Sequence, residues 1–194
     1  NLILRGTVYP IRKVDLNKEV ITEYGMSVFN VPIMSAPDLY AGKILAALDR
    51  QHPRDLFDVA YILKQKFTHE LKMAFLVYLI SHNRPMHELL NPNLLNQKDP
   101  YENEFVGMTK RPISYEELIA TRERLIFTIK NMLAKEDKDF LLSVKKGMPK
   151  WDHLALIGVE KLPGVVWKLF NINKMEEKKR QQAIANLEQV LYRG

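Results

Sequence analysis

Lys43, Asp49, Arg50, Arg54, Asp55 and Asp58 are set into the otherwise apolar run from Lys43 to Leu63. Packing a helix against a core requires only an apolar stripe, so these charges answer to a second demand. Lysine as a point charge and arginine as a planar fork are the residue types that hold a triphosphate. Carboxylates beside them can complete or brace such a pocket. The same six residues can also form ion pairs that clamp a helical hairpin, with Asp55 complementing a helix N-terminus. The residues alone leave both readings open. The small pair Ala41-Gly42 in front of Lys43 leaves room for a backbone or a ligand to approach closely.

The elements that must position these charges follow from the local signals. Ser35 and Asp38 read as a capping box that opens a helix through about Asp49. Pro53 fits the first turn of a helix and not its interior, so a bend at Gln51-His52 separates two helices. That hairpin brings Lys43 and Arg50 near Asp55 and Asp58 in one cleft. Upstream, residues 2–33 are rich in Val, Ile, Tyr and Phe and read as three strands, LILRGTVY, KEVITEY and SVFNVPIM. Downstream the pattern is helical. Thr68 opens a helix through Ile80, residues 91–112 read as a long connection, and Ser114 with Glu117 forms a capping box for a helix to about Lys135. A shorter helix from Lys135 stops at Gly147-Met148-Pro149. Two short helical pieces after Trp151 are broken by Gly158 and Pro163-Gly164, and a last helix covers Lys174 to Leu191. The stripe Leu118, Leu125, Ile129 and Met132 is core by its period. The fold class is α+β, predominantly α, with residues 1–66 as a strand-containing unit and residues 67–194 as a helical one.

Composition narrows the function classes. Hydrophobic residues at 46% and charged residues at 27% are ordinary for a globular domain. No apolar run reaches the roughly 20 residues that span a bilayer. There is no cysteine, which excludes disulfides and thiolate metal sites and fits a reducing cytoplasm. The five histidines form no i, i+4 ligand pair, and only His52 falls inside the charged motif. No nucleophile–base set and no glycine-rich phosphate loop occurs. The net charge of +6 is spread over two basic clusters, Lys145-Lys146 with Lys150, and Lys174 with Lys178-Lys179-Arg180. Glu176 before Arg180 is the order of an exposed helix face, with nucleic-acid contact as the alternative. The first residues look like a strand already in progress, which leads to the expectation of a fragment.

The order Leu39-Tyr40-Ala41-Gly42-Lys43, Ala46-Ala47-Leu48, Arg50, Arg54-Asp55, Phe57-Asp58 closely resembles the AbiEii/AbiGii family of bacterial nucleotidyltransferase-like toxins. Leu4-Arg5-Gly6-Thr7 resembles the strand-to-loop segment that precedes this motif in the family. The resemblance implies a DNA-polymerase-β-like nucleotidyltransferase domain, of which remnant strands are present, followed by a helical bundle. It implies a toxin–antitoxin or phage-defence enzyme of the cytoplasm that moves NMP from an NTP to an RNA such as tRNA, with Mg2+, and that has a cognate antitoxin. By position in the motif, Lys43, Arg50 and Arg54 would bind the nucleotide, and Asp55 and Asp58 would complete or brace the catalytic pocket. The family's Gly-Ser followed by Asp-x-Asp on a strand, which supplies the principal metal ligands, has no counterpart here. The chain is therefore expected to be the C-terminal part of such an enzyme and inactive alone. The competing reading is a non-catalytic helical module that binds nucleic acid or a protein. A closed ion-pair network without a cavity and a basic exposed face would favour it.

Overall fold

The computed structural model describes residues 6–192. In chain order it consists of β1 (Arg12–Val14), α1 (Lys18–Tyr24), β2 (Val31–Ile33), α2 (Ala36–Arg50), α3 (Pro53–Ile62), α4 (His69–Ile80) and α5 (Met86–Leu90). Then come α6 (Lys98–Pro100), which runs into a π-helical turn at Tyr101–Phe105, α7 (Tyr115–Met132), α8 (Lys135–Lys145), α9 (Pro163–Asn173) and α10 (Glu177–Tyr192). Single 3-10 turns lie at Trp151–His153 and Val159–Lys161. Among the described residues the fold is mainly helical with one small sheet.

The strand content is smaller than the composition of residues 2–33 predicts. β1 and β2 pair antiparallel with Arg12 opposite Ile33 and Val14 opposite Val31. KEVITEY is a helix. The Asn17 side chain accepts the Glu19 amide at its start, and Gly25 takes a left-handed conformation at its end, where its amide bonds Ile21. Two good caps outweigh the weak strand preference of Val20, Ile21 and Thr22. Gly6 to Tyr9 is not a strand either, and the rest of the LILRGTVY segment, including Leu4 and Arg5, lies outside the described residues. None of α1 is buried, and β1 is exposed throughout.

From α2 onward the helical reading holds. Ser35 caps α2 by accepting the Asp38 amide. Asp38 is fully buried, and its carboxylate turns back to the incoming chain rather than to the cap's own amide. It accepts the amides of Val8 at 2.7 Å and Tyr9 at 3.0 Å and the Ser35 hydroxyl at 2.7 Å. A carboxylate in the first turn also faces the positive end of the helix dipole. Asp38 thus ties the segment before β1 to the helix that carries Lys43 and Arg50.

α4 is apolar on every side and accordingly central, with nine of its twelve residues buried. It packs on α2, α5, α8 and α9. Gly42 on α2 faces Tyr78 of α4, whose ring would lie 3.6 Å from an added Cβ. Of the backbone or ligand that Ala41-Gly42 leaves room for, it is the neighbouring helix α4 that stands beside Gly42. The Ser114–Glu117 box caps α7, and Leu118, Leu125 and Ile129 are buried as their spacing predicts. Pro163-Gly164 starts α9 rather than ending a helix, as proline in a first turn can.

Two stability measurements check this description. Asp38→Ala leaves two backbone amides without their acceptor and should cost about 3 kcal/mol, read as a lower urea midpoint with earlier proteolysis before Ser35. His87 is half-buried, and its Nδ1 is buried without a hydrogen-bond partner among the described residues. Burial lowers its pKa below the ordinary 6.5; Glu88 opposes the shift and Lys145 adds to it. Below pH 6.5 the unfolded chain takes up a proton that the folded one resists, so stability falls as pH drops through that window. The fall between about pH 7.5 and pH 5.5 should be smaller in His87→Leu than in the parent chain.

Candidate functional site

The charged motif is organised by the bend between α2 and α3. Gln51 ends α2 in a left-handed conformation, φ 55°, and is almost fully buried. Its side-chain amide donates to the Asn93 carbonyl at 2.7 Å. Its carbonyl oxygen accepts from the Leu95 amide at 3.1 Å and from Arg122 of α7 at 3.0 Å. His52 then caps α3: its Nδ1 accepts the Arg54 amide at 3.2 Å, which leaves the proton on Nε2, facing Glu104 at 3.2 Å. Pro53 occupies the first turn of α3, as its fixed φ favours.

Across this hairpin the charges pair. Arg50 donates from Nε at 3.0 Å and Nη2 at 2.7 Å to the two oxygens of Asp55, a bidentate fork. Two turns back along α2, Lys43 Nζ lies 2.5 Å from Asp58. The exposures differ in a way that decides the roles: the Arg50 side chain is 63% exposed, whereas that of Asp55 is 14% exposed. Asp55 is the fixed member, and Arg50 presents its unused N–H groups to solvent. Lys43 and Asp58 are both about 40% exposed.

A cavity of about 420 Å³ opens at the bend, lined by Arg50, His52, Arg54, Asp55 and Gln97. The hairpin therefore brings Arg50, Arg54 and Asp55 to one cavity, while Lys43 and Asp58 form a separate rung outside its lining. Sequence reasoning missed the parts supplied by residues 91–112. That stretch holds α6 and the π-helical turn, which is fixed by Tyr101 against Tyr115 and Phe105 against Phe57. The turn delivers Glu104 to His52 and, at 3.7 Å, to Arg54. Nothing in the local sequence marks Glu104, because its position depends on rings from α3 and α7. Asp49, the remaining carboxylate of the motif, faces away to Arg84, at 2.9 Å, and His82. A second, polar cavity of about 500 Å³ is lined by Gln51, Arg84, His87 and Asn91 among others.

The donor set tests the implied magnesium. No three His, Asp or Glu among the described residues converge on one point. Asp55 and Asp58 are each already held by a cation. The chain does contain one Asp-x-Asp, Asp137-Lys138-Asp139, but it lies on α8. There Asp137 is buried, accepts the Ala134 amide and pairs with Lys72, and Asp139 accepts the Tyr192 hydroxyl. These residues do not by themselves fit a magnesium site.

The basic clusters are also placed. Lys145 is buried, and burial pushes its ammonium pKa down, so it is not part of an exposed face. Arg180 pairs with Glu177 and Lys179 with Glu176, in place of the expected Glu176–Arg180 pair. No described helix is long and apolar enough to cross a membrane.

Comparison with known proteins adds the family. No curated protein and no solved structure matches the chain. The family described as nucleotidyl transferase AbiEii toxin, type IV TA system, matches residues 1–158. That span includes the whole charged hairpin, the turn that carries Glu104, and α7 and α8. The resemblance carried by Leu39 to Asp58 thus extends far into the helical part, and the chain belongs to the AbiEii nucleotidyl transferase toxin family.

Proposed function

We propose that the α2–α3 bend is the nucleotide-phosphate side of an NMP-transferring site. The observation that supports this reading is the cavity lined by Arg50 and Arg54, in which the exposed Arg50 fork is oriented by a largely sheltered Asp55. A guanidinium held bidentate on one edge keeps its remaining N–H groups in a fixed direction. Such a donor loses little freedom when it meets phosphate oxygens. Arg54, 58% exposed and only loosely drawn to Glu104, is the second donor. Arg50 and Arg54 stand on opposite sides of the bend, so a polyanion in the cavity can be bound from two helices. Asp55 and Asp58 act here as positioning residues for Arg50 and Lys43. Lys43 adds a third cation along the same hairpin and can share its charge between Asp58 and a phosphate.

In this reading residues 1–66 carry the nucleotide-side motif of a nucleotidyltransferase-like unit and residues 67–194 form the helical unit behind it. The family implies an NTP substrate and, in its system, an antitoxin. We further propose RNA, of which tRNA is the type case, as the acceptor, and the cytoplasm as the place of reaction. The carboxylates that would hold Mg2+ in the family, those of the Asp-x-Asp that follows its Gly-Ser, have no counterpart in the charged hairpin. The present chain would then bind nucleotide but not transfer it alone. One observation favours a plainer role for Lys43: its short pair with Asp58 is outside the cavity lining. On that reading the pair is a structural rung of a binding module.

The test is label transfer from each NTP to total tRNA, with magnesium, by a parent protein that carries the family's N-terminal motif. Arg50→Ala and Lys43→Ala variants and the present chain are compared with it. Losing one charge-assisted phosphate contact should lower the specificity constant for NTP about 10- to 100-fold. The present chain should give no transfer. Unchanged transfer by Lys43→Ala would assign that lysine to the structural rung, and transfer unaffected by Arg50→Ala would remove the cavity from the active site.

A further inference from the structure

A second surface, on α9, carries the chemistry of a polynucleotide contact. α9 buries Val165, Lys168 and Ile172. Its opposite arc, Val166, Trp167, Phe170 and then Lys174, faces outward at the 3.6-residue period. Trp167 is 41% exposed and Phe170 54% exposed, which is high for aromatic rings with no partner helix. Lys174 holds its ammonium 4.1 Å from the centre of the Phe170 ring. The segment from Lys161 to Met175 contains no carboxylate, and neither does the segment from Phe140 to Trp151.

The fold brings these two acid-free segments together. Gly147, in a left-handed conformation with φ 80°, packs so closely on α9 that an added Cβ would stand 2.5 Å from the Asn173 side chain. Lys146 and Lys150 flank this turn and line a depression of about 410 Å³, with Asp139 as its one acidic member. α10 starts just beyond, with Lys178 in its first turn. Among the described residues, Lys146, Lys150, Lys174 and Lys178 have no carboxylate partner, while Lys179 and Arg180 neutralise Glu176 and Glu177. None of these residues lines the cavity at the α2–α3 bend.

We propose that this face binds single-stranded polynucleotide, with bases stacking on Trp167 and Phe170 and the four lysines following the phosphates. An apolar helix face alone would suit a protein partner as well. Here the exposed rings are flanked by ammonium groups that have no carboxylate partner among the described residues, and the α9 segment itself lacks carboxylates. That combination matches a ligand with flat apolar faces and a repeating negative charge. The surface is independent of the nucleotide reading of the bend, because it needs neither NTP nor metal.

Fluorescence anisotropy of a labelled 12-nucleotide single-stranded RNA, titrated with the present chain without NTP or metal, tests it. Four phosphate contacts predict an affinity loss of about 50-fold between about 50 and 200 mM salt. Lys146→Glu with Lys174→Glu, both exposed, should weaken binding at least about 10-fold and flatten the salt dependence. Trp167→Ala with Phe170→Ala should weaken it by a similar factor and leave the salt slope in place. Three results would overturn the proposal: no binding by the unaltered chain, binding that survives both double variants, or an equal loss on Arg50→Ala, which places the strand at the bend. Binding of anionic phospholipid vesicles through the same residues with no RNA binding would also overturn it, and would reassign the face to a membrane surface.

Discussion

The buried amide of Gln51 is the constraint on which the charged site depends. A non-glycine residue in the left-handed region costs on the order of 1 kcal/mol, and a buried amide costs more if any of its groups lacks a partner. Both costs are met at one place: the Gln51 side chain bonds Asn93, Leu95 and Arg122, so α2, α7 and the long connection meet at the bend. Reversal of the chain there puts Arg50 and Arg54 on either side of a cavity. An ordinary loop at this point would leave the two guanidinium groups without a common target.

Carboxylates in this protein orient other groups more often than they stand free. Asp38 holds two backbone amides, Asp55 fixes Arg50, Asp137 caps α8 while pairing with Lys72, and Glu104 draws His52 and Arg54 together. The pattern separates two jobs that a sequence motif merges. Arg50 is exposed, and Asp55, which sets its direction, is sheltered. In a family described by nucleotidyl transfer, such an arrangement suits the phosphate recognition proposed for the bend.

Much of the helical architecture was legible in the sequence because the signals were local. Ser35, Thr68 and Ser114 each cap the helix expected of them, and Pro53 marks the start of α3. The hairpin was readable from spacing, but the single cleft expected of it divides into the Arg50–Asp55 pair at the cavity and a separate Lys43–Asp58 pair. The strand reading of KEVITEY failed because Asn17 and Gly25 act at its ends, outside the β-branched residues that suggested it. Glu104 and Arg122 were invisible because only tertiary contacts bring them to residues about 50 and 70 positions away. Gly42 looked like a place for the close approach of a backbone or a ligand and is a contact with α4, a distinction that depends on which helix stands opposite. Lys145 looked like part of a solvated cluster, and its neighbours bury it.

The most direct measurement is an NMR titration of this chain, labelled with nitrogen-15 at arginine, with ATP in the absence of metal, following the side-chain Nε–H resonances. The account predicts that Arg50 and Arg54 shift together and saturate with one affinity, while Arg84 and Arg180, which are paired elsewhere, stay in place. Saturating shifts confined to other arginines, with Arg50 and Arg54 unmoved, would contradict it and leave the charged hairpin as a structural clamp.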